Sequence, residues 1–263
     1  MTTTRIQRLS VTPIKGLGLH HPDRLCLTSH GAEGDREFFL AAEDDSLLSL
    51  TRTGAWAHLR AEYSSEQREL ALFDGDRELC RAPAEPDVRT RVDFYGSRWV
   101  AADRVPGPWD ELLSDLARRP VRLVRGAEPG AGIDVAPVTV LGSASVAELA
   151  ARLQNPVDPR RFRMTLDVET SRPHEEDEWS GAVLAGDDVR LRMLGPVPRC
   201  AAVTRHPDEG DRDLPVVRAI KAYRGVQDTA SGKGVCFGVY ADVIDAGTVR
   251  VGELLTLEPV AAR

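Results

Sequence analysis

Val189-Arg190-Leu191-Arg192-Met193-Leu194-Gly195-Pro196-Val197-Pro198-Arg199-Cys200 is the stretch that decides how this chain folds and what it offers chemically. Val189, Leu191 and Met193 alternate with Arg190 and Arg192, the two-residue period of a strand with one buried face. Pro196 and Pro198 then remove two ladder donors, so the strand is expected to stop near Leu194 and the chain to turn. The turn delivers Arg199 beside Cys200. A thiolate is a soft metal ligand and a nucleophile, and a neighbouring guanidinium stabilises that anion. By residue type alone, a lone cysteine such as Cys200 is more often a small buried hydrophobe.

Working outward, the same β character recurs along the chain. Leu25-Cys26-Leu27 and Phe38-Phe39-Leu40 flank turn signals at Gly31 to Gly34. Leu70 and Leu72 precede Asp74-Gly75-Asp76, a hairpin signal, and Val92 and Phe94 precede a turn at Gly96-Ser97. Up to about residue 95 the pattern predicts a small antiparallel unit, with a short helical piece near Ala55 to Arg60. Trp109, Leu112, Leu113 and Leu116 fall on one helical face and predict a helix over 108–117. Ser145 with Glu148 forms a capping-box pattern before Val146, Leu149 and Leu153, predicting a helix over 145–154 that Asn155-Pro156 ends. Pro215 to Tyr223 predicts another. Strand patterns return at Met164 to Val168, Val183 to Leu184, Val235 to Val243 and Val249 to Leu257. Glu175-Glu176-Asp177-Glu178 is expected to be a solvated loop. The fold class is therefore mainly β with some α.

A chain of 263 residues, 42% hydrophobic and 29% charged, can build one large β domain or two smaller ones. Its net charge of -7 disfavours nucleic acid and anionic membranes as general partners, so an anionic ligand would need a local basic cluster. Cys26, Cys80, Cys200 and Cys236 form no CxxC pair, which argues against a zinc ribbon or a thioredoxin-like site. No apolar h-region opens the chain and no run approaches membrane-spanning length, so a cytoplasmic setting is expected. The six histidines show no metal-ligand spacing, and only His206 lies near enough in sequence to Cys200 to face a substrate there.

Taken together and in order, these segments resemble a MOSC domain preceded by the N-terminal MOSC β-barrel domain of amidoxime-reducing component enzymes. The matching residues are Arg161-Phe162-Arg163, Glu176-Asp177-Glu178-Trp179, Gly195 to Cys200, Pro207-Asp208-Glu209-Gly210, Tyr223-Arg224, Phe237-Gly238-Val239-Tyr240-Ala241 and Gly247 to Glu253. In the N-terminal part they are Pro13-Ile14-Lys15-Gly16 and Gly34-Asp35-Arg36-Glu37-Phe38. The resemblance implies two domains, 1–95 and 96–263, with the molybdenum cofactor (molybdenum on molybdopterin) in the groove between them. It also implies that Cys200 is the metal ligand and catalytic residue, and that Lys15, Arg36, Ser145, Arg163, Thr165 and Arg199 contact the pterin and its phosphate. On residue type alone, Arg36 and Arg163 read as ordinary surface or salt-bridge arginines, and Ser145 is equally a helix cap.

The implied activity is reduction of a small N-hydroxylated substrate by a molybdoenzyme, with electrons from a separate electron-transfer protein. The alternative is a sulfur carrier or cofactor-handling module that bears a persulfide on Cys200; the pyridoxal-phosphate domain of sulfurase fusions is not expected here. Three departures stand out. Met164-Thr165 replaces a frequent Pro-Asn, Gly16 a frequent serine, and Pro198 a serine of some relatives. Each removes a hydrogen-bonding side chain worth about 1 kcal/mol or exchanges it for a weaker one.

Overall fold

The computed structural model describes residues 2–229 and 232–258; Met1 and the last five residues, which the expected domain limits include, lie outside them. Seven strands close into a barrel in the order Thr2–Leu9, Leu166–Val168, Val138–Gly142, Cys236–Asp245, Arg190–Pro198, Val183–Ala185 and Leu254–Glu258. Inward-facing Ile6, Val140, Leu166, Val168, Leu184, Leu191, Met193, Val239 and Leu255 fill it. This is the period-two alternation written in the sequence, with the arginines of 190–193 pointing outward.

The strand at the centre of the sequence reading does not stop at Leu194. It runs from Arg190 to Pro198. Pairing with Cys236–Asp245 continues through Pro196↔Val239 and Pro198↔Cys236, with register shifts on either side of Pro196. Prolines are tolerated here because irregular pairing at a bulge does not call on every N–H.

Outside the barrel, helix α2 (Ser143–Leu153) and helix α3 (Val216–Arg224) cover a second core of Leu141, Leu149, Phe162, Val197, Val216, Ile220 and Phe237. Helix α2 begins two residues earlier than expected, with Gly142 at the N-cap and no side-chain cap, so the Ser145–Glu148 box does not form. Glu148 pairs with Arg152 instead, at 2.6 Å. The acidic run is not a solvated loop either. It folds as the 3₁₀ helix Glu175–Trp179, burying Glu175 and Glu176, and Asp177 pairs with Arg224. Burial and the Arg224 guanidinium pull His174, which precedes this helix, down to about 4.

The N-terminal lobe holds a five-stranded sheet, in the order Leu47–Leu48, Phe38–Ala41, Arg122–Gly126, Arg98–Arg104 and Arg89–Phe94, beside a three-stranded meander of Leu59–Ser64, Glu69–Asp74 and Arg77–Pro83. Phe38 and Leu40 face one core with Trp109 and Leu113 of helix α1 (Trp109–Ala117), while Phe39 and Ala41 face another with Val92, Phe94 and Val124. Both faces of that strand are covered, so its sequence is apolar throughout. Among the described residues this lobe is a pair of open sheets, and only the C-terminal barrel closes. The hydrogen-bonded units also do not divide at residues 95 and 96. The strand Thr2–Leu9 belongs to the barrel, and the strands 98–104 and 122–126 complete the N-terminal sheet. Local patterning carries no information on which distant edge a strand joins. The expected helical piece near Ala55 to Arg60 is a set of turns leading into a strand, with Trp56 buried.

At one point the lobes meet backbone to backbone. Gly54 and Gly210 pack so closely that a Cβ on either would overlap the other's carbonyl, and Gly210 has φ +77°. Gly210→Ala is expected to destabilise the protein by about 3 kcal/mol through this overlap and the left-handed backbone; urea unfolding would show it as a lowered midpoint. A second expectation concerns pH. An unfolded histidine titrates near 6.5 and His174 in the fold near 4, so the unfolded chain binds more protons between those values. Stability should therefore fall as pH drops from about 6.5 towards 4, and denaturant midpoints across that range should fall less in His174→Gln.

Candidate functional site

Between the lobes lies a cavity of about 390 Å³. The N-terminal lobe contributes Lys15, Gly16, Arg36, Ser49, Thr51 and Tyr95, and the barrel side contributes Arg163, Thr165, Arg199, Cys200 and Tyr240. Residues 133–137 of the connecting segment form a third wall.

Cys200 follows the bulged strand and stands at the N-cap of the short 3₁₀ helix Ala201–Thr204, with extended backbone (φ -98°, ψ 179°). Its side chain is exposed, which overturns the buried-hydrophobe alternative. The Thr51 hydroxyl of the opposite lobe lies 3.4 Å from its sulfur. Arg199 does not act as the free cation expected beside the thiol. Its Nε and Nη2 donate to the Phe237 carbonyl at 2.8 and 2.6 Å, Nη1 donates to the Phe162 carbonyl at 3.0 Å, and the guanidinium lies over the Phe162 ring. Burial brings Arg199 down to about 10. Two carbonyls and the Met164 sulfur accept from that guanidinium, so geometry makes it a strut under Cys200.

The remaining cations of the cavity come from both sides, Lys15 and Arg36 from the N-terminal lobe and Arg163 from the barrel side. Lys15 is 6% exposed; its Nζ donates to the Gly132 carbonyl at 2.8 Å and pairs with Asp134 at 2.9 Å. Burial lowers its pKa, and Asp134 opposes that shift. Arg36 pairs with Asp35 and donates to the Arg163 carbonyl at 3.1 Å. Arg163 donates to the Leu17 carbonyl at 2.7 Å. Burial first and the neighbouring Arg36 second pull Arg163 down to about 9. Two guanidinium groups, one from each side, thus meet beside one paired carboxylate, Asp35, which leaves net positive charge facing an anion-sized space. Gly16 has φ +99°, a conformation that serine adopts poorly, which accounts for the glycine at this position.

Thr165 lines the cavity, but its hydroxyl is engaged with Thr139, 3.2 Å from that residue's hydroxyl and accepting from its N–H at 3.2 Å. Ser145 is not in the cavity. It is fully buried on the inner face of helix α2, donating to Glu176 at 2.7 and 2.9 Å and accepting from the His174 N–H at 2.8 Å, so the expectation of a phosphate contact fails for want of access. His206 is spent on a turn, its Nδ1 accepting from the Asp208 and Glu209 N–H groups, and it does not line the cavity. Thr51, Tyr95 and Asp134 were missed in the sequence. Thr51 and Tyr95 sit on a loop and a hairpin tip of the opposite lobe and Asp134 on the connecting segment, and no spacing rule connects them to Cys200.

Residues 128–256 match the family model of the MOSC domain. The chain carries a MOSC domain. The MOSC match covers most of the closed barrel and includes Cys200 and Arg163, while Lys15, Arg36 and Tyr95 precede it. The chain is 31% identical over 168 residues to human mitochondrial amidoxime-reducing component 1, covering 60% of this chain and 49% of that protein. It is 31% identical over 125 residues to rat mitochondrial amidoxime reducing component 2, covering 46% of this chain and 36% of the relative. A molybdenum cofactor sulfurase of Caenorhabditis briggsae is 26% identical over 235 residues, 87% of this chain but 32% of that protein. These matches span about a third to a half of the relatives' own length. The solved YUAD protein of Bacillus subtilis aligns over 97% of this chain and 96% of its own, at 10% identity and a TM-score of 0.45. No helix among the described residues is long and apolar enough to cross a membrane.

Because Ser145 supports helix α2 and not the cavity, Ser145→Ala should lower stability by roughly 1–3 kcal/mol by leaving Glu176 and the His174 N–H short of a partner. It should leave the affinity of the cavity for an anionic ligand unchanged; urea unfolding and equilibrium binding, measured side by side, check both halves.

Proposed function

We propose that this chain holds the molybdenum cofactor between its lobes through Cys200 and reduces small N-hydroxylated substrates such as amidoximes or hydroxylamines. The observation that carries this is the donor set around one cavity: an exposed thiol on a rigid turn of the barrel side, Arg163 on that same side, and Lys15 and Arg36 across from them. The thiolate is the soft ligand that molybdenum takes, and the guanidinium forks suit a phosphate. When bound, the group would supply oxygen-atom exchange and two-electron chemistry.

The chain's own residues would do the remaining work. Arg199, anchored to Phe162 and Phe237, fixes the backbone that carries the sulfur. Thr51 offers the sulfur a hydroxyl donor that tunes its basicity from the opposite lobe. Arg36 and Arg163 neutralise the phosphate end, and Lys15 adds a compact charge held in place by Asp134 and Gly132. Electrons would come from a separate electron-transfer protein, and the four unpaired cysteines suit a reducing cytoplasm.

Exposure of Cys200 also favours a second reading, in which it carries a persulfide and hands sulfur on; the sulfurase match over 87% of the chain supports it. Purification from a host that makes the cofactor separates the two. Molybdenum and pterin bound in near-stoichiometric amount support the reductase reading, and metal-free protein with one extra sulfur atom on Cys200 by mass spectrometry supports the carrier. Cys200→Ala should keep the wild-type unfolding midpoint, lose molybdenum and drop benzamidoxime reduction to background. Unchanged turnover in this variant would refute the proposal.

A further inference from the structure

The hairpin formed by the strands Arg89–Phe94 and Arg98–Arg104 turns at the lip of the cavity, and its turn is occupied by a residue ill suited to it. Ser97 N–H donates to the Phe94 carbonyl at 3.1 Å, closing a four-residue turn whose central residues, Tyr95 and Gly96, have φ of 63° and 71°. That pair of positive values is the type I′ pattern, in which asparagine, aspartate and glycine are favoured at the first position. A bulky side chain there sits in strained backbone. The hairpin's own needs do not call for a tyrosine, since Tyr95 is half-exposed and its ring only meets the edge of Phe94, at 6.1 Å between centroids.

The side chain instead faces the cavity. Ser49, Asp134, Arg36 and Cys200 line the same cavity, and the Ser49 hydroxyl, buried in the wall, has no hydrogen-bond partner among the described residues. The aperture is otherwise largely apolar, with Leu50, Ile133, Val135, Ala136 and Val203 around it. The turn is also braced: Arg98 donates to the Ile133 carbonyl at 2.5 Å and stacks on Phe94, 5.1 Å from its centroid. A strained, braced phenol aimed into a mostly apolar mouth has the geometry of a group that meets what enters.

We propose that Tyr95 is a substrate-positioning residue of this site, its ring packing against the planar body of an N-hydroxylated substrate and its hydroxyl hydrogen-bonding the N–O group near Cys200. This rests on the reductase reading given above. Substrates with a flat conjugated body next to the N–OH group would gain both contacts, and small aliphatic hydroxylamines only the second.

The test compares cofactor-loaded wild type with Tyr95→Asn and Tyr95→Phe, measuring melting temperature, molybdenum content, and KM, kcat and equilibrium binding for benzamidoxime. Tyr95→Asn installs the residue that the turn prefers, so its melting temperature should rise by about 2–4 °C with molybdenum content unchanged. Its KM should rise about tenfold, with kcat changed much less. Tyr95→Phe should melt with wild type and raise KM by a smaller factor. A Tyr95→Asn variant that melts lower, or that binds and turns over benzamidoxime as wild type does, overturns the proposal. Wild type that binds benzamidoxime in a Tyr95-dependent way without reducing it overturns the reductase reading alone.

Discussion

Cationic side chains that donate hydrogen bonds to backbone carbonyls of another segment hold this molecule in one arrangement. Arg36 reaches the carbonyl of Arg163, Arg163 that of Leu17, Arg205 that of Leu50, and Lys15 that of Gly132. A hydrogen bond from a charged donor contributes roughly 1.5–3 kcal/mol net, while leaving either partner unmade in a buried seam costs more than the bond returns. These contacts therefore fix the lobes in register as much as they attract them. A carbonyl satisfies the N–H but supplies no full negative charge. The same bonds that close the seam leave its cavity wall positive; burial, and after it the neighbouring Arg36, holds Arg163 down to about 9.

That local charge sits in a chain of net charge -7. Long-range attraction of polyanions is weak or repulsive, so a ligand must be recognised at close range by directed groups. Asp35 and Asp134 sharpen this selectivity. Each pairs with one cation of the wall, setting its orientation and cancelling part of its charge. A small ligand with a compact anionic end fits such a wall better than a nucleic acid backbone does.

The barrel and its thiol were legible in the sequence because both depend on local pattern. Alternation at Val189 to Met193, the helical face of Trp109 and Leu113, and the Asp74-Gly75-Asp76 turn are each settled within a few residues. What local pattern cannot encode is the partner. Thr2–Leu9 looked like part of the first unit and closes the second, and the strands 98–104 and 122–126 went the other way. Ser145 and Glu148 had the spacing of a capping box, but Glu176, thirty-one residues on, competes for the Ser145 hydroxyl with two oxygens in a dry site and wins. Lys15, Arg36 and Arg163 were found by resemblance, whereas Thr51, Tyr95 and Asp134 belong to loops whose only common property is the cavity they meet at.

The proline pair before Cys200 shows how a rule of strand chemistry can be kept and its consequence reversed. Proline withholds an N–H, and a regular ladder would be broken by two of them. At the register shifts around Pro196 the missing donors are not needed, so the strand carries on and gains two positions with fixed φ. Arg199 then locks the end of that rigid segment to the Phe237 and Phe162 carbonyls. The sulfur of Cys200 is thereby held by backbone stiffness and a buried guanidinium, not by contacts to its own side chain, which stays exposed to the cavity with Thr51 across from it. Around the same cavity, Arg36, Arg163 and Tyr95 all have left-handed backbone, with φ of 53°, 53° and 63°. Strain of that kind persists only where the surroundings over-determine it, and here the interlobe hydrogen bonds do so on one side and the bulged strand on the other. A site assembled this way is rigid before any ligand arrives, and the ligand need not supply the free energy to order it.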